Sequence, residues 1–427
     1  MKFAKLTHHC LWSGLPLVGL LMAGHGLAAA QTPDTTRVVE IVLEARSANP
    51  GLQASRLRAD ASGERVAQAG ALSDPLLSFG IMNRPLDNLA PDQPMTMNSL
   101  QLSQRLPWPG KRAANTQRAD HLARAERLES AEAEVDLVAR VKSVYYRIAS
   151  IDRSIEVMTR TRDLLRNLQG VATARYAVGS GIQQDVLQAQ VAVARLTADL
   201  TLMGENREAM TARLNALAGR APTAPLGPLE LPGPIGTIPP LESLFARAES
   251  ARPALERARQ RVQAADAGIE SARLTGFPDV TVTVGYAQRP RFDDFATVML
   301  GVNLPVWGAS RQRPYRREME AMRASAAAEE RAIVEETFAR LQELRAQAVR
   351  ARQLLELYRT SVLPQARAAV ESSLSAYQVG KVDYMTLMTN QMTVNEYELE
   401  LIRLAADYQT AVAGIEALTS PATGGGE

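Results

Sequence analysis

The stretch Asp279-Val-Thr-Val-Thr-Val-Gly-Tyr-Ala287 decides the reading of this chain. Successive side chains of a strand alternate, so Val280, Val282, Val284 and Tyr286 fall on one side and Thr281, Thr283, Gly285 and Ala287 on the other. A few residues later Phe295 to Leu304 repeats the pattern: Ala296, Val298, Leu300, Val302 and Leu304 oppose Thr297, Met299, Gly301 and Asn303. Each run has about the 9–11 residues that a tilted strand needs to cross a bilayer, and its second face is polar or small rather than core-like. Weaker copies stand earlier, where Leu77, Phe79 and Ile81 oppose Ser78, Gly80 and Met82, and Leu100 and Leu102 oppose Gln101 and Ser103. Four such strands are too few to close a barrel. An open strand edge cannot face lipid, so the pattern predicts that several chains share one barrel, and three would supply twelve strands.

Working outward from the strands, the chain proves to be duplicated, and repeats are sought before local readings are trusted. Tyr176-Ala-Val-Gly179 returns as Tyr377-Gln-Val-Gly380 at an offset of 201. Asn49-Pro50-Gly-Leu52 answers to Arg252-Pro253-Ala-Leu255, and Asp74-Pro75 to Phe277-Pro278, both at 203. Leu106-Pro107-Trp108-Pro109-Gly110-Lys111-Arg112 matches Leu304-Pro305-Val306-Trp307-Gly308-Ala309-Ser310-Arg311 at 198. These last two segments turn each strand pair into a long helical region. Trp108 and Trp307 suit either an aromatic girdle at the bilayer surface or packing inside the bend.

The helical regions carry a coiled-coil period. After Gly181, apolar residues at Ile182, Val186, Ala189, Val193, Leu196, Leu200, Met203, Met210, Leu214 and Leu217 step by three and four, a heptad seam. The second half repeats it at Leu387, Val394, Tyr397, Leu401, Leu404, Tyr408, Ala411, Ile415 and Leu418. The preceding helices carry Val141, Val144, Ile148, Ile151, Ile155 and Met158, and Leu341, Leu344, Ala348, Ala351, Leu355 and Tyr358. Each half is thus expected to hold two long antiparallel helices, with a rod from Lys111 to Arg175 on the order of 100 Å long. Pro364 should kink its helix.

The resulting organisation is mainly α within an α+β class. Residues 1–30 read as a signal peptide. Residues 31–221 form repeat 1, with strands at about 76–84 and 97–106 and a helical hairpin at about 111–218. A Pro-rich linker covers 222–240. Residues 241–420 form repeat 2, with strands at about 279–288 and 295–305 and a hairpin at about 311–418. A flexible Gly-rich tail covers 421–427. The leader rests on Lys2 and Lys5, an apolar run from Leu11 to Met22 broken by Gly14, Pro16 and Gly19, and the small residues Ala28 to Ala30.

Cys10, the one cysteine, falls in that leader, and His121 is the only histidine beyond it. A Cys/His zinc site and a cysteine nucleophile are therefore excluded by inventory. With 48 Lys and Arg against 46 Asp and Glu and only 5% aromatic residues, the composition argues against a nucleic-acid surface. No cofactor is expected, nor any catalytic cluster.

The duplicated strand–strand–helix–helix plan with its Tyr-x-Val-Gly turns resembles the TolC-like outer-membrane efflux proteins over nearly the whole chain. Tyr176-Ala-Val-Gly-Ser-Gly-Ile-Gln-Gln-Asp185 and its copy at Tyr377 carry the resemblance most specifically. It implies a homotrimer whose twelve-stranded β-barrel sits among outer-membrane lipid and continues as a periplasmic α-helical barrel. A periplasmic adaptor (membrane fusion protein) and an inner-membrane RND pump are the implied partners. Phe79-Gly-Ile-Met82-Asn83-Arg-Pro85, Pro94-Met95-Thr-Met97 and Gln104 to Arg112 look most like the heavy-metal branch. The resemblance makes Gly179, Ser180, Gly181, Val379, Gly380 and Lys381 adaptor contacts, and puts Asp185 in the place of a gate acid. Thr386 and Thr389 stand where the family's second set of gate acids is found. Pro107, Trp108, Pro109, Gly110, Pro305, Trp307 and Gly308 are the strand-to-helix turns.

Other readings stay open on sequence alone. The same channel could serve drug efflux or type I protein secretion. A structural coiled-coil protein or an adaptor would also be exported and helical, but neither needs four amphipathic strands. Asp185 could equally be a solvated helix-start carboxylate. Met82, Met95, Met97, Met299, Met385, Met388 and Met392 are soft donors, yet methionine is first a packing residue, and no metal site is assigned.

Overall fold

The computed structural model describes residues 37–85, 94–234 and 236–421. The leader, and the tail beyond Pro421, lie outside the described residues. In chain order the elements are α1 (Val38–Ala48), α2 (Pro50–Gly70), β1 (Leu76–Met82), β2 (Met97–Leu106), α3 (Lys111–Ala177) and α4 (Gln183–Ala218). The second half repeats the plan: α5 (Leu241–Ala251), α6 (Pro253–Leu274), β3 (Asp279–Gln288), β4 (Phe295–Asn303), α7 (Arg313–Leu357), α8 (Leu363–Gln378) and α9 (Tyr384–Thr419).

The four strands form one antiparallel sheet in the order β1-β2-β3-β4. Register sets Leu77 and Phe79 against Leu102 and Leu100, those two against Val284 and Tyr286, and Val284 against Val298. One face is therefore largely apolar from edge to edge, interrupted among the paired residues by Asn98, Gln104 and Gln288. Among the described residues it is left open: Phe79, Val298 and Leu300 are 70%, 71% and 69% exposed. The opposite face carries Ser78, Ser99, Gln101, Ser103, Thr281, Thr283, Thr297 and Asn303, with the Ser103 and Thr283 hydroxyls hydrogen-bonded at 2.8 Å. Two strands end two residues short of their expected bounds at about 84 and 305. β1 stops at Met82 because Asn83 takes the left-handed region, with φ 51°. β4 stops at Asn303, ahead of Pro305.

Pro50 and Pro253 open α2 and α6 from the first helical turn, where a missing N–H costs nothing. Asn49 caps α2 by accepting from the Leu52 N–H at 2.9 Å and donates its amide to the Leu217 carbonyl at 2.9 Å. At the equivalent position Arg252 donates to Glu132 at 2.9 Å and to Thr337 at 2.5 Å, tying repeat 2 to repeat 1. The four helices α1, α2, α5 and α6 are not anticipated by the heptads. In α2 and α6 the buried stripes lean on small residues such as Ala59, Ala258, Ala264 and Ala272, which give little apolar periodicity, while α1 and α5, 11 residues each, are too short to repeat a heptad.

α3 runs 67 residues without a break, about 100 Å. The heptad residues Ala189, Leu196 and Leu214, and Leu387, Val394, Leu404, Tyr408, Ala411 and Ile415, are buried along the seams, whereas Ile182 precedes α4 and is 59% exposed. The second long helix is interrupted. A π-helical turn at Tyr358–Val362 precedes α8, whose first turn holds Pro364, and another at Gly308–Gln312 precedes Pro314 of α7. The π turn is the form the proline disruption takes, since the ring removes one N–H and crowds the carbonyl four residues back.

The linker between the repeats is pinned. Asn215 donates to the Pro222 and Ala224 carbonyls at 3.2 and 2.9 Å, and the Glu230 N–H donates to the Tyr145 hydroxyl at 3.1 Å. Gln409 donates to the Pro232 and Gly233 carbonyls at 3.0 and 3.1 Å, Arg345 to the Pro239 carbonyl at 3.0 Å, and Leu229 is buried in the repeat 1 core.

Candidate functional site: the hairpin tips

Both helical hairpins reverse on a glycine with positive φ, Gly179 at 75° and Gly380 at 72°, which a side chain would strain. Ser180 and Gly181 N–H donate to the Arg175 carbonyl at 2.9 and 3.0 Å, and the Lys381 N–H donates to the Ala376 carbonyl at 2.8 Å, closing both helix ends. A Cβ on Gly181 would lie 3.1 Å from the Tyr176 nitrogen, so the first tip is tightly wound. Val379, Gly380, Lys381, Gly179 and Ser180 are exposed, Gly181 partly so. Val178, the first-repeat copy of Val379, joins them at 78% exposed, and the repeat matching that aligns the two valines is the signal that finds it.

The two tips are held to each other. The Arg175 guanidinium, from the end of α3, donates to the Tyr377 carbonyl at 2.7 Å and lies 4.7 Å from the centre of the Tyr377 ring. Tyr377 is buried and meets the ring of the fully buried Tyr384 at 5.9 Å, whereas its copy Tyr176 is 48% exposed. Burial, helped by Tyr377 and Asp185, pushes the Tyr384 hydroxyl up to about 12.

Asp185, in the first turn of α4, is partly buried, and its carboxyl is raised above the usual aspartate range by burial and then by Asp383, against the pull of Arg175. Asp383 caps α9 by accepting from the Thr386 N–H at 2.8 Å, and its bonds to Thr386 hold it below that range. The sequence singles out Asp185, Thr386 and Thr389 but not Asp383 or Arg175. The fold brings Asp185 and Asp383 together from the two repeats, while Thr386 and Thr389 are exposed on α9. Asp383 is legible as a helix-capping residue before an apolar run.

Met385, Met388 and Met392 line a groove beside Leu187, Val191 and Leu196, among aliphatic neighbours. Among the described residues no group of three or more His, Cys, Asp or Glu could hold a metal ion. His121 is hydrogen-bonded to Gln260 at 2.9 Å.

At the other end of α3, Trp108 stacks on Phe277 with ring centres 5.3 Å apart, so it is packed in the bend. Its N–H donates to Asp279 at 3.0 Å, and Lys111 donates to Asp279 at 2.7 Å and to the Phe277 carbonyl at 2.8 Å. Gly110 turns the chain with φ 92°, and Pro107 and Pro109 flank Trp108. In the copy, Pro305 and Gly308 bracket Trp307, which is 70% exposed. No helix among the described residues is long and apolar enough to cross a membrane.

A sheet oiled on one face and wet on the other, continued by long paired helices that end in linked tips, is the anatomy of an outer-membrane efflux channel. Residues 41–220 and 244–420 match the outer membrane efflux protein family, and the chain belongs to it. It is 27% identical over 231 residues to the fusaric acid resistance protein FusA of Burkholderia cepacia, a match covering 50% of this chain and 43% of that one. The chain thus spans less than half of that relative's length. Its fold is similar to that of the outer membrane protein VceC of Vibrio cholerae, with TM-score 0.77, 18% identity, and 90% of this chain and 96% of that one covered. CusC gives 0.78 at 14% identity with 91% and 93% covered, and the open state of the MtrE channel of Neisseria gonorrhoeae 0.76 at 14% with 91% and 94%. The chain is an outer-membrane efflux protein with the fold of the solved outer-membrane channels, and not an enzyme.

Proposed function

We propose that three copies of this chain close a twelve-stranded barrel, continue it as a helical tunnel, and passively conduct heavy-metal cations from periplasm to exterior. One observation carries the assembly: among the described residues the sheet exposes a largely apolar face yet has two open edges, β1 and β4. Lipid tolerates the face but not the edges, and four strands cannot close on themselves.

In this reading a periplasmic adaptor grips the tips at Gly179, Ser180, Gly181, Val379, Gly380 and Lys381, with Val178 as an added apolar contact. An inner-membrane RND pump supplies the work. Asp185 and Asp383, two carboxylates per chain, would bring six to the mouth, with Arg175 and Lys381 supplying as many cations nearby. The ring of Asp185 carboxylates, set in the first turn of α4, is the part that would concentrate cations at a narrow mouth. Thr386 and Thr389 add polar, uncharged lining, and Trp307 rests at the bilayer surface.

The fusaric acid resistance relative favours a second reading, export of small organic acids through the same channel. A deletion strain with and without the protein separates the two. Sensitivity confined to copper, silver, zinc, cobalt or cadmium supports metal export. Sensitivity to organic acids or antibiotics alone rejects it, and a monomer in outer-membrane fractions rejects the assembly.

A further inference from the structure

β2 and β3 meet at a seam between the two repeats, and in a ring of copies β4 of one must meet β1 of the next in the same relation. The geometry points to one such outer seam. The next copy's Asp74-Pro75 seats in the cavity beside Trp307 and pairs its carboxylate with Arg311, and β4 and β1 pair Leu304 with Leu77, Val302 with Phe79 and Leu300 with Ile81. This inference rests on the trimeric barrel proposed above and names what joins its copies.

The inner seam is the template. It is closed at its base by one aromatic stack, Trp108 on Phe277, and one ion pair, Lys111 with Asp279. The outer seam keeps only part of this set: Trp307 recurs, while Asp74 stands in the position of Phe277, Leu76 in that of Asp279 and Ala309 in that of Lys111, so a different pairing must close it. Trp307 comes after the copy of the Leu106-Pro107 turn and is 70% exposed, against 37% for Trp108. Beside it opens a cavity of about 740 Å³ that reaches from the inner seam to β4, lined by Arg105, Lys111, Asp279, Leu304, Arg311 and Gln312 among others. Among the described residues neither Arg105 nor Arg311 has a carboxylate within ion-pair distance, and the Gln312 Oε1 is buried without a partner. Asp74, in the position of Phe277, is exposed at the opposite edge of the sheet, and no described cation pairs with it. A cationic cavity on one edge and an unpaired carboxylate on the other select a second copy as the occupant.

The register comes from the duplication. Leu106 pairs with Val280 within the chain, and moving β2 forward by 198 and β3 back by 203 converts that pair to Leu304 with Leu77. Every other pair then matches by face: Val302 with Phe79 and Leu300 with Ile81 toward lipid, Asn303 with Ser78 and Gly301 with Gly80 toward the lumen. A slip of one residue would turn the polar face outward. From Leu77 the paired row runs through Leu102, Val284 and Val298 to Asn83 of the next copy, six residues on. The stagger is even, as matching faces demand, and non-zero, as barrel closure demands.

Ser78 and Asn303 stand on opposite edges of one chain's sheet, at least three strand spacings or about 14 Å apart, too far for a disulfide. In outer membranes, Ser78→Cys combined with Asn303→Cys should therefore give covalent dimers and trimers on oxidation, with several-fold greater yield than Asn303→Cys with Leu76→Cys or Gly80→Cys. Asp74→Arg and Arg311→Asp, each alone, should lower the temperature at which the detergent-extracted trimer dissociates, and together should restore it. Preferred cross-linking at 76 or 80, or a double reversal that restores nothing, overturns the seam and leaves the trimer standing. An unsubstituted protein that is monomeric in the membrane overturns the trimer itself.

Discussion

Arg175 donates a hydrogen bond of 2.7 Å to the carbonyl of Tyr377, 202 residues away, and covers that residue's ring. A charge-assisted bond of this kind contributes about 1.5–3 kcal/mol, and the ring contact on the order of another 0.5–1. Arg175→Ala should let the two hairpin tips part and raise the conductance of the resting channel in planar bilayers. Arg175→Lys, which keeps charge but not the planar fork, should fall between. Resting conductance equal to the parent in both variants would show that the tips are held elsewhere.

The raised carboxyl of Asp185 gives the mouth a pH response. A raised acid takes up its proton at a higher pH than an ordinary aspartate, so its share of any cation preference should fade before the ordinary aspartate range is reached as pH drops. Asp383, held low, should keep its charge through that window. The stability consequence has the opposite sign to a salt-bridged acid: the charged form is disfavoured in the fold, so protonation stabilises. Asp185→Asn should raise thermal stability slightly at neutral pH and flatten its pH dependence. A variant with the parent's pH profile in both selectivity and melting would refute this.

The two faces of the sheet should respond differently to charge. Leu300→Arg, on the apolar face, should cost about 2–4 kcal/mol near the bilayer centre and cut the yield of outer-membrane protein. Thr297→Arg, on the opposite face of the same strand, should insert normally and alter ion selectivity. Equal yields from the two variants would contradict the assignment of faces.

Two glycines of the α4 segment make a matched pair. Gly219 has φ 73°, and a Cβ there would lie 2.6 Å from the Ala48 carbonyl oxygen, so Gly219→Ala should destabilise by more than the roughly 1 kcal/mol of left-handed strain alone. Gly204, inside α4 with nothing within 4 Å of its missing Cβ, should become about 0.5–1 kcal/mol more stable as alanine. Thermal unfolding in detergent reads both, and the prediction is their opposite signs.

Strands and long helices are legible because alternation and heptads are imposed by one bulky residue after another, as at Val280, Val282 and Val284 or Leu196 and Leu214. The helices α1, α2, α5 and α6 are not: in α2 and α6 buried small residues leave little contrast, and α1 and α5, 11 residues each, are too short to repeat a heptad. At the tips the sequence offers Asp185 and the glycines but not Arg175, Asp383 or the unequal fates of Tyr176 and Tyr377. Those depend on contacts between residues some 200 positions apart, which repeat matching aligns as equivalents rather than as neighbours.

The uncovered edges of β1 and β4 set a clock on the single chain. A lone molecule carries two adhesive strands and an oily face, and none of its described residues hides them. Closing the proposed ring of three needs two further encounters, while any chance pairing of edges needs only one, so crowding by half-made copies favours the wrong product. Supply and escort of the unassembled chain, rather than the strength of the finished ring, then govern how many working channels a cell obtains.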